Sequence, residues 1–359
     1  MSAARLLSSD DRRNDGTIEI IYVDPGSIAY QAVTYMARLA AELLDASFVS
    51  VNVQSVSRLE QVLGVFPRAR GRVKGLMICP SPPLLGLIVK TPMWRRRYDQ
   101  LAAWVFDSFW IDYIPRFVRL GSIFDHVFVT EQEDLGSWRR MVSAPVDWLP
   151  WGADALRLGS ASPARSTDVL RFGRQPPGWE NDDLTASACA RLGLRFQGRP
   201  PPSDDPVEGE RALMNVLAQS KFTLSFSNRV SPSVQTHPER EYITGRWTEA
   251  LSAGATVAGM PPRGPSVESL LWEDALLDLG TLDLTEGLQI IAGAVSRWRP
   301  RQALRNYQKS LQVLDWRWRF KKLASALELQ TPRLDEELNL LRLRIDDTAA
   351  SLSALAERN

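Results

Sequence analysis

The stretch Pro238 to Pro262, PEREYITGRWTEALSAGATVAGMPP, decides the fold. A charged cluster, Glu239-Arg240-Glu241, leads into Thr244-Gly245-Arg246. The spacing then predicts a helix from about Arg246 to Ala253, stopped by Gly254, and a strand over Ala255 to Gly259. Loop, helix, glycine and buried strand make one αβ unit of a parallel sheet. Glu241 falls in the loop and Glu249 on the first turn or so of the helix, with seven residues between them. The unpaired N–H groups of the helix start lie between the two acids, and such an end attracts phosphate. Two solvated glutamates would look alike in isolation; the Gly245-Arg246 approach and the small-residue strand favour the phosphate reading.

Working outward toward the amino end, Thr17 to Val23 reads as a strand, Asp24-Pro25-Gly26-Ser27 as a tight turn, and Ala29 to Leu44 as a helix. Phe48 to Val53 follows as a second strand. The chain therefore opens βαβ, with Asp24 and Gly26 at the carboxyl end of its first strand, where ligands collect in open α/β sheets. Further strands are expected at Val73 to Cys79, before the apolar end at Phe106, at Phe124 to Thr130 and at Val146 onward. Asp107 ends one of them beside Phe109 and Trp110. Rings stack on sugar C–H faces while a carboxylate takes hydroxyl hydrogens; a turn cap or a partner for nearby arginines is the plainer role. A second βα series begins at Asp168, with strands at Val169 to Gly173, Leu194 to Gly198, Phe222 to Ser227 and Ala275 to Leu279.

The composition bounds the function. A length of 359 residues suits about two domains. A net charge of +1 supplies no field for nucleic acid. Two histidines, His126 and His237, exclude a multi-histidine metal centre, and two cysteines, Cys79 and Cys189, make neither a disulfide framework nor a zinc site. The start of the chain lacks an apolar signal core and no long apolar run occurs, so a cytoplasmic protein without a membrane span is expected.

The expected organisation is a disordered tail (1–15), a first Rossmann-like domain (16–154) and a linker (155–167). A second Rossmann-like domain (168–299), crossover helices (300–330) and a coiled-coil-like helix (331–359) complete it. In that last segment Leu334, Leu338, Leu341, Ile345, Thr348, Leu352 and Leu355 alternate at 4-3 spacing, an a/d seam. Residues 333–356 are expected to pair between chains as a homo-oligomer, with docking on the chain's own body as the alternative.

The pair Glu241 and Glu249 resembles the E-x7-E motif of retaining glycosyltransferases of the GT-B fold, as in glycosyltransferase family 4. Arg174, after Gly173, matches the arginine of the Gly-Arg that opens the family's donor domain. Pro150, Gly152 and Asp154 match its turn before the cleft. The family's lysine is missing from Gln175 to Glu180, leaving Arg171 or Arg246 as substitutes. Tyr242-Ile243-Thr244-Gly245 replaces the usual Gly-Phe-Gly.

The resemblance implies transfer of a sugar from a nucleotide-diphosphate donor to a hydroxyl of a glycan or small-molecule acceptor, with retention, without metal and without a cofactor. It implies Glu249 on the ribose, Glu241 on the donor sugar, and Thr244 and Gly245 offering N–H groups to phosphate. Arg174 neutralises the leaving group. Asp107 and His237 join the catalytic set, and Asp24, Gly26 and Trp110 face the acceptor. A catalytically inactive GT-B-like scaffold, and less so a sugar-nucleotide epimerase, are the alternatives.

Overall fold

The computed structural model describes residues 18–357 apart from positions 54, 67, 68, 70, 234 and 235. The tail expected at 1–15 lies outside the described residues. The strands are β1 (Ile18–Asp24), β2 (Ser47–Asn52), β3 (Val73–Cys79), β4 (Tyr98–Val105), β5 (His126–Val129) and β6 (Val146–Trp148), followed by β7 (Thr167–Arg171), β8 (Phe196–Gln197), β9 (Ser220–Leu224), β10 (Thr256–Gly259) and β11 (Leu276–Asp278). They form two wholly parallel sheets, ordered β2-β1-β3-β4-β5-β6 and β11-β10-β9-β7-β8. Each sheet starts in its interior, adds its second strand on one side and the rest on the other. The order therefore reverses beside β1 in one sheet and beside β7 in the other. Loops leaving the carboxyl ends there diverge and open a crevice.

Alternation along β1 explains the layers. Ile20 and Tyr22 enter one hydrophobic core; Ile21 and Val23 enter another on the opposite face. The first core is continuous across both domains. It takes in the helix Gln31–Leu43 of the first domain and Trp247 and Leu251 of the second. The second domain's other face has its own core around Trp179, Phe222 and Phe226.

The αβ unit read from the sequence is present as helix Gly245–Ser252, then β10. Gly254 ends the helix at φ +79°, a left-handed position where glycine carries no Cβ penalty. The stretch expected as linker holds a helical turn, Ala155–Leu158, capped by Asp154, which accepts from the Arg157 N–H at 3.2 Å.

Helices Pro300–Val313 and Trp316–Ala326 cross back onto the first domain. The Trp316 ring meets Trp104 edge-on at 5.8 Å, and the Trp316 N–H donates to the Ala153 carbonyl at 3.1 Å. Arg317 is wholly buried at this junction and binds Asp154 (2.8 Å), Asp315 (3.0 Å) and Glu337 (2.7 Å). Burial alone would raise the Asp154 carboxyl, but the Arg317 guanidinium holds it below its ordinary value. Losing one member would leave uncompensated buried charge, so the network specifies how the crossing docks.

The first half of the expected seam is seated on the chain's own body, the alternative to pairing between chains. One helix, Pro332–Glu357, carries it. Leu334, Leu338 and Leu341 are buried in the core shared with the crossover helices. Arg317 and Arg157 fix the helix from below through Glu337. The apolar stripe is covered within the chain until the last turns, where Leu355 is exposed.

Candidate functional site

Because all strands are parallel, the loops that follow β1 and β4 emerge at one edge of the first sheet. Those following β7 and β9 emerge at one edge of the second. Asp107 leaves β4 at the first edge. Its carboxylate accepts from the Tyr30 hydroxyl at 2.6 Å, and burial raises its pKa to about 7. Asp24 bends back to accept from the Gly26 N–H at 2.8 Å, which holds the turn after β1 with Gly26 at φ +64°.

From the other domain, Tyr242 stacks on Phe109 with ring centres 3.9 Å apart, so an aromatic pair joins the two edges. Trp110 and His237 continue that row at 5.2 Å. His237 Nδ1 accepts from the backbone N–H groups of Glu239 and Arg240, both at 3.1 Å. Burial and the neighbouring Arg240 charge lower its pKa. The histidine therefore shapes its own loop through Nδ1, which Asn228 also pins by donating to the carbonyls of His237 and Arg240.

Arg174 follows β7 and donates from Nε to the Ser231 carbonyl at 2.6 Å and from a terminal nitrogen to Ser233 Oγ at 3.1 Å. Arg246 stands beside it and donates to the Arg174 carbonyl at 3.1 Å. Burial, then the Arg174 charge, brings Arg246 down to about 10. The Arg174 charge acts on Arg246 and both act on Tyr242, so an anion between them would relieve that repulsion. Gly173 makes room for this pair: at φ +75°, a Cβ there would stand 2.4 Å from Arg246 Cδ. Thr244, the N-cap of helix Gly245–Ser252, makes no side-chain cap bond to it.

Two expected donor residues are placed differently. Arg171 is bound to Glu180 at 2.6 Å and to Asp182, so its guanidinium is held at the β7 corner by two acids. Glu249 lies in the second turn of its helix rather than the first and is 3 % exposed. It faces Glu210, from helix Pro206–Ala218. Burial, then the Asp154 charge, raises Glu210 to about 7, while burial, then the Glu210 charge, raises Glu249 well above the usual carboxylate range. In so dry a place beside Glu210, Glu249 favours its protonated form. Glu249 is thus a neutral, internally paired acid.

Glu241 accepts from the Ser227 hydroxyl and lines a cavity of about 290 Å3 between the domains. Phe109, Glu131, Asp134, Arg240 and Arg263 line it too. Arg240 crosses to Asp134 at 2.7 Å, and Glu133 crosses to the Ser266 N–H at 2.9 Å. These contacts clamp the rim. Glu131 Oε2 is buried with no hydrogen-bond partner. Burial, then Glu133 and Asp134, raise its pKa well above normal. Sequence reading missed Glu131 and Glu210. Glu131 gave the same signal as Asp107, an acid directly after a strand; Glu210 gave none, because its partner lies in another helix. Among the described residues no cluster of three His, Cys, Asp or Glu side chains is arranged to hold a metal ion.

Comparison with solved structures finds this architecture elsewhere. Sucrose-phosphate synthase from Thermosynechococcus elongatus matches with a TM-score of 0.50 at 12% identity, over 86% of this chain and 98% of that one. AviGT4, a glycosyltransferase involved in avilamycin A biosynthesis, gives 0.43 at 15% identity over the same shares. An α1,3-fucosyltransferase with GDP gives 0.39 at 11% identity, over 91% and 95%. No family model and no curated protein matches the chain. The chain is similar to sucrose-phosphate synthase in fold: two parallel-sheet α/β domains, the GT-B architecture.

Proposed function

We propose that the chain is a glycosyltransferase that moves a sugar from a nucleotide-diphosphate donor to an acceptor hydroxyl, with retention and without a metal. The observation that carries this reading is the Arg174–Arg246 pair beside the order reversal of the second sheet. A diphosphate gains charge as its bond to the sugar breaks. Two fixed guanidiniums and the start of helix Gly245–Ser252 stabilise that charge more in the transition state than before it. In the retaining step, the bond from the anomeric carbon to the phosphate oxygen breaks. The acceptor oxygen bonds on the same face, and its proton passes to the leaving phosphate. Glu241 and Asp107 stand on opposite sides of the cleft as partners for sugar hydroxyls, with Trp110 and His237 toward the acceptor. Glu249 meets the ribose only once its pairing with Glu210 opens.

One observation favours a second reading. Asp107, raised to about 7, is suited to take the acceptor proton itself, which would invert the anomeric centre. Proton NMR of the product decides: the donor's anomeric configuration supports retention and the opposite one supports inversion. Incubation with a panel of nucleotide sugars tests the shared claim. Release of nucleotide diphosphate that survives EDTA supports it, while no turnover with any donor favours an inactive scaffold.

A further inference from the structure

We infer that the first domain docks on an anionic membrane surface through the face built by helices Arg58–Gly64 and Arg116–Leu120. Leu59, Val62, Leu63 and Phe66 recur at helical spacing, so they share one stripe. A surface helix ordinarily turns such a stripe inward. Here it faces out: Leu59 is 68% exposed, Val62 59% and Phe66 56%. Helix Arg116–Leu120 extends the surface with Leu120, 65% exposed. The two helices are neighbours, since a Cβ on Gly64 would stand 2.6 Å from the Phe117 ring and one on Gly121 would stand 3.6 Å from the Val65 carbonyl.

Basic side chains outnumber acids around this stripe. Arg58, Arg116 and Arg119 are exposed on the same two helices or at their starts, and the Arg95 guanidinium lies over the Phe66 ring at 5.8 Å. The acid within the stripe, Glu60, is neutralised by Lys90 at 2.9 Å. Asp112 is an exposed acid at its edge. An apolar stripe among arginines matches an interfacial surface: apolar side chains enter the acyl boundary while guanidiniums meet anionic headgroups. No helix of the described residues is long and apolar enough to cross a membrane, so surface seating is the mode that fits. The covered face of the same sheet, which carries helix Gln31–Leu43, offers no such stripe. From helix Arg116–Leu120 the chain leads back through Tyr113, whose ring meets Trp110, to the row that ends at His237. Docking here would bring a membrane-borne acceptor within reach of the cleft.

The test is co-sedimentation of the full chain with phosphatidylcholine vesicles, with and without phosphatidylserine. It reads binding alone, so it stands whether or not the cleft transfers sugars. The wild type is expected to pellet with phosphatidylserine vesicles and stay in solution with neutral ones. Val62→Asp with Leu63→Asp should weaken binding by more than about tenfold. Arg116→Glu with Arg119→Glu should weaken it by about fivefold or more for each arginine. All four side chains are exposed, so unchanged melting temperatures would confirm folded variants. The inference is overturned if the wild type stays in solution with both vesicle types, or if the Val62 and Leu63 variant pellets as the wild type does. It is also overturned if that variant instead abolishes self-association seen without lipid, which would make the face a protein interface.

Discussion

Replacing Asp107 by Asn should change how stability depends on pH, and the size of the change follows from the site. Burial raises this carboxyl from 3.8 to about 7 while Tyr30 donates to it. Its folded pKa exceeds its unfolded one, so the folded state holds the extra proton between those values. Its contribution to stability is complete below pH 4 and is lost as pH rises to 7, at about 1.4 kcal/mol per unit. The full span is at most about 4 kcal/mol, and solvent at the exposed edge lowers that figure. Asn keeps an oxygen for the Tyr30 hydroxyl and has no proton to lose. Urea unfolding of both proteins from pH 4 to 8 should therefore show the variant gaining on the wild type with rising pH and levelling off above pH 7. Parallel curves would refute the argument, because Asp107 would then titrate alike in both states.

Other outcomes follow from the same geometry. Arg174→Ala should lower kcat by a larger factor than it raises the nucleotide Kd, since phosphate charge grows in the transition state; steady-state kinetics beside direct binding would show the split, and an unchanged kcat would assign the task elsewhere. Gly173→Ala places a Cβ at φ +75° and 2.4 Å from Arg246 Cδ, so it should cost about 1 kcal/mol or more in unfolding free energy and weaken diphosphate binding; wild-type affinity would separate Arg246 from the site. Leu338→Asp with Leu341→Asp should lower the unfolding midpoint sharply, because both leucines lie in the intramolecular core; an unaltered midpoint with loss of a dimer would restore the intermolecular seam.

The two parallel sheets were legible because each βα unit carries its own local signal. An apolar run such as Thr17 to Val23 ends at a turn, and the helix from Gly245 ends at Gly254. The place of Asp107 at a strand end beside aromatics was legible in the same local way. What could not be read are properties of pairs distant in sequence. The acids at 241 and 249 have the right spacing, yet Glu249 is turned toward Glu210, 39 positions before it. Arg171 and Arg174 look equivalent, three residues apart, but Glu180 and Asp182 hold the first while the second stands beside Arg246. The seam of the last helix has one pattern whether its partner is another chain or its own. Glu337, which Arg317 and Arg157 bind, lies among its polar positions and gives no such signal.

Calorimetric titration of the wild type and of Arg174→Ala with the diphosphates of uridine, guanosine, thymidine, adenosine and cytidine tests the central claim most directly. The account predicts that at least one binds the wild type at one site per chain without added metal, and that Arg174→Ala weakens it by about tenfold, the equivalent of one charge-assisted hydrogen bond. Absence of binding by all five at millimolar concentration, or equal affinity for the two proteins, would contradict it.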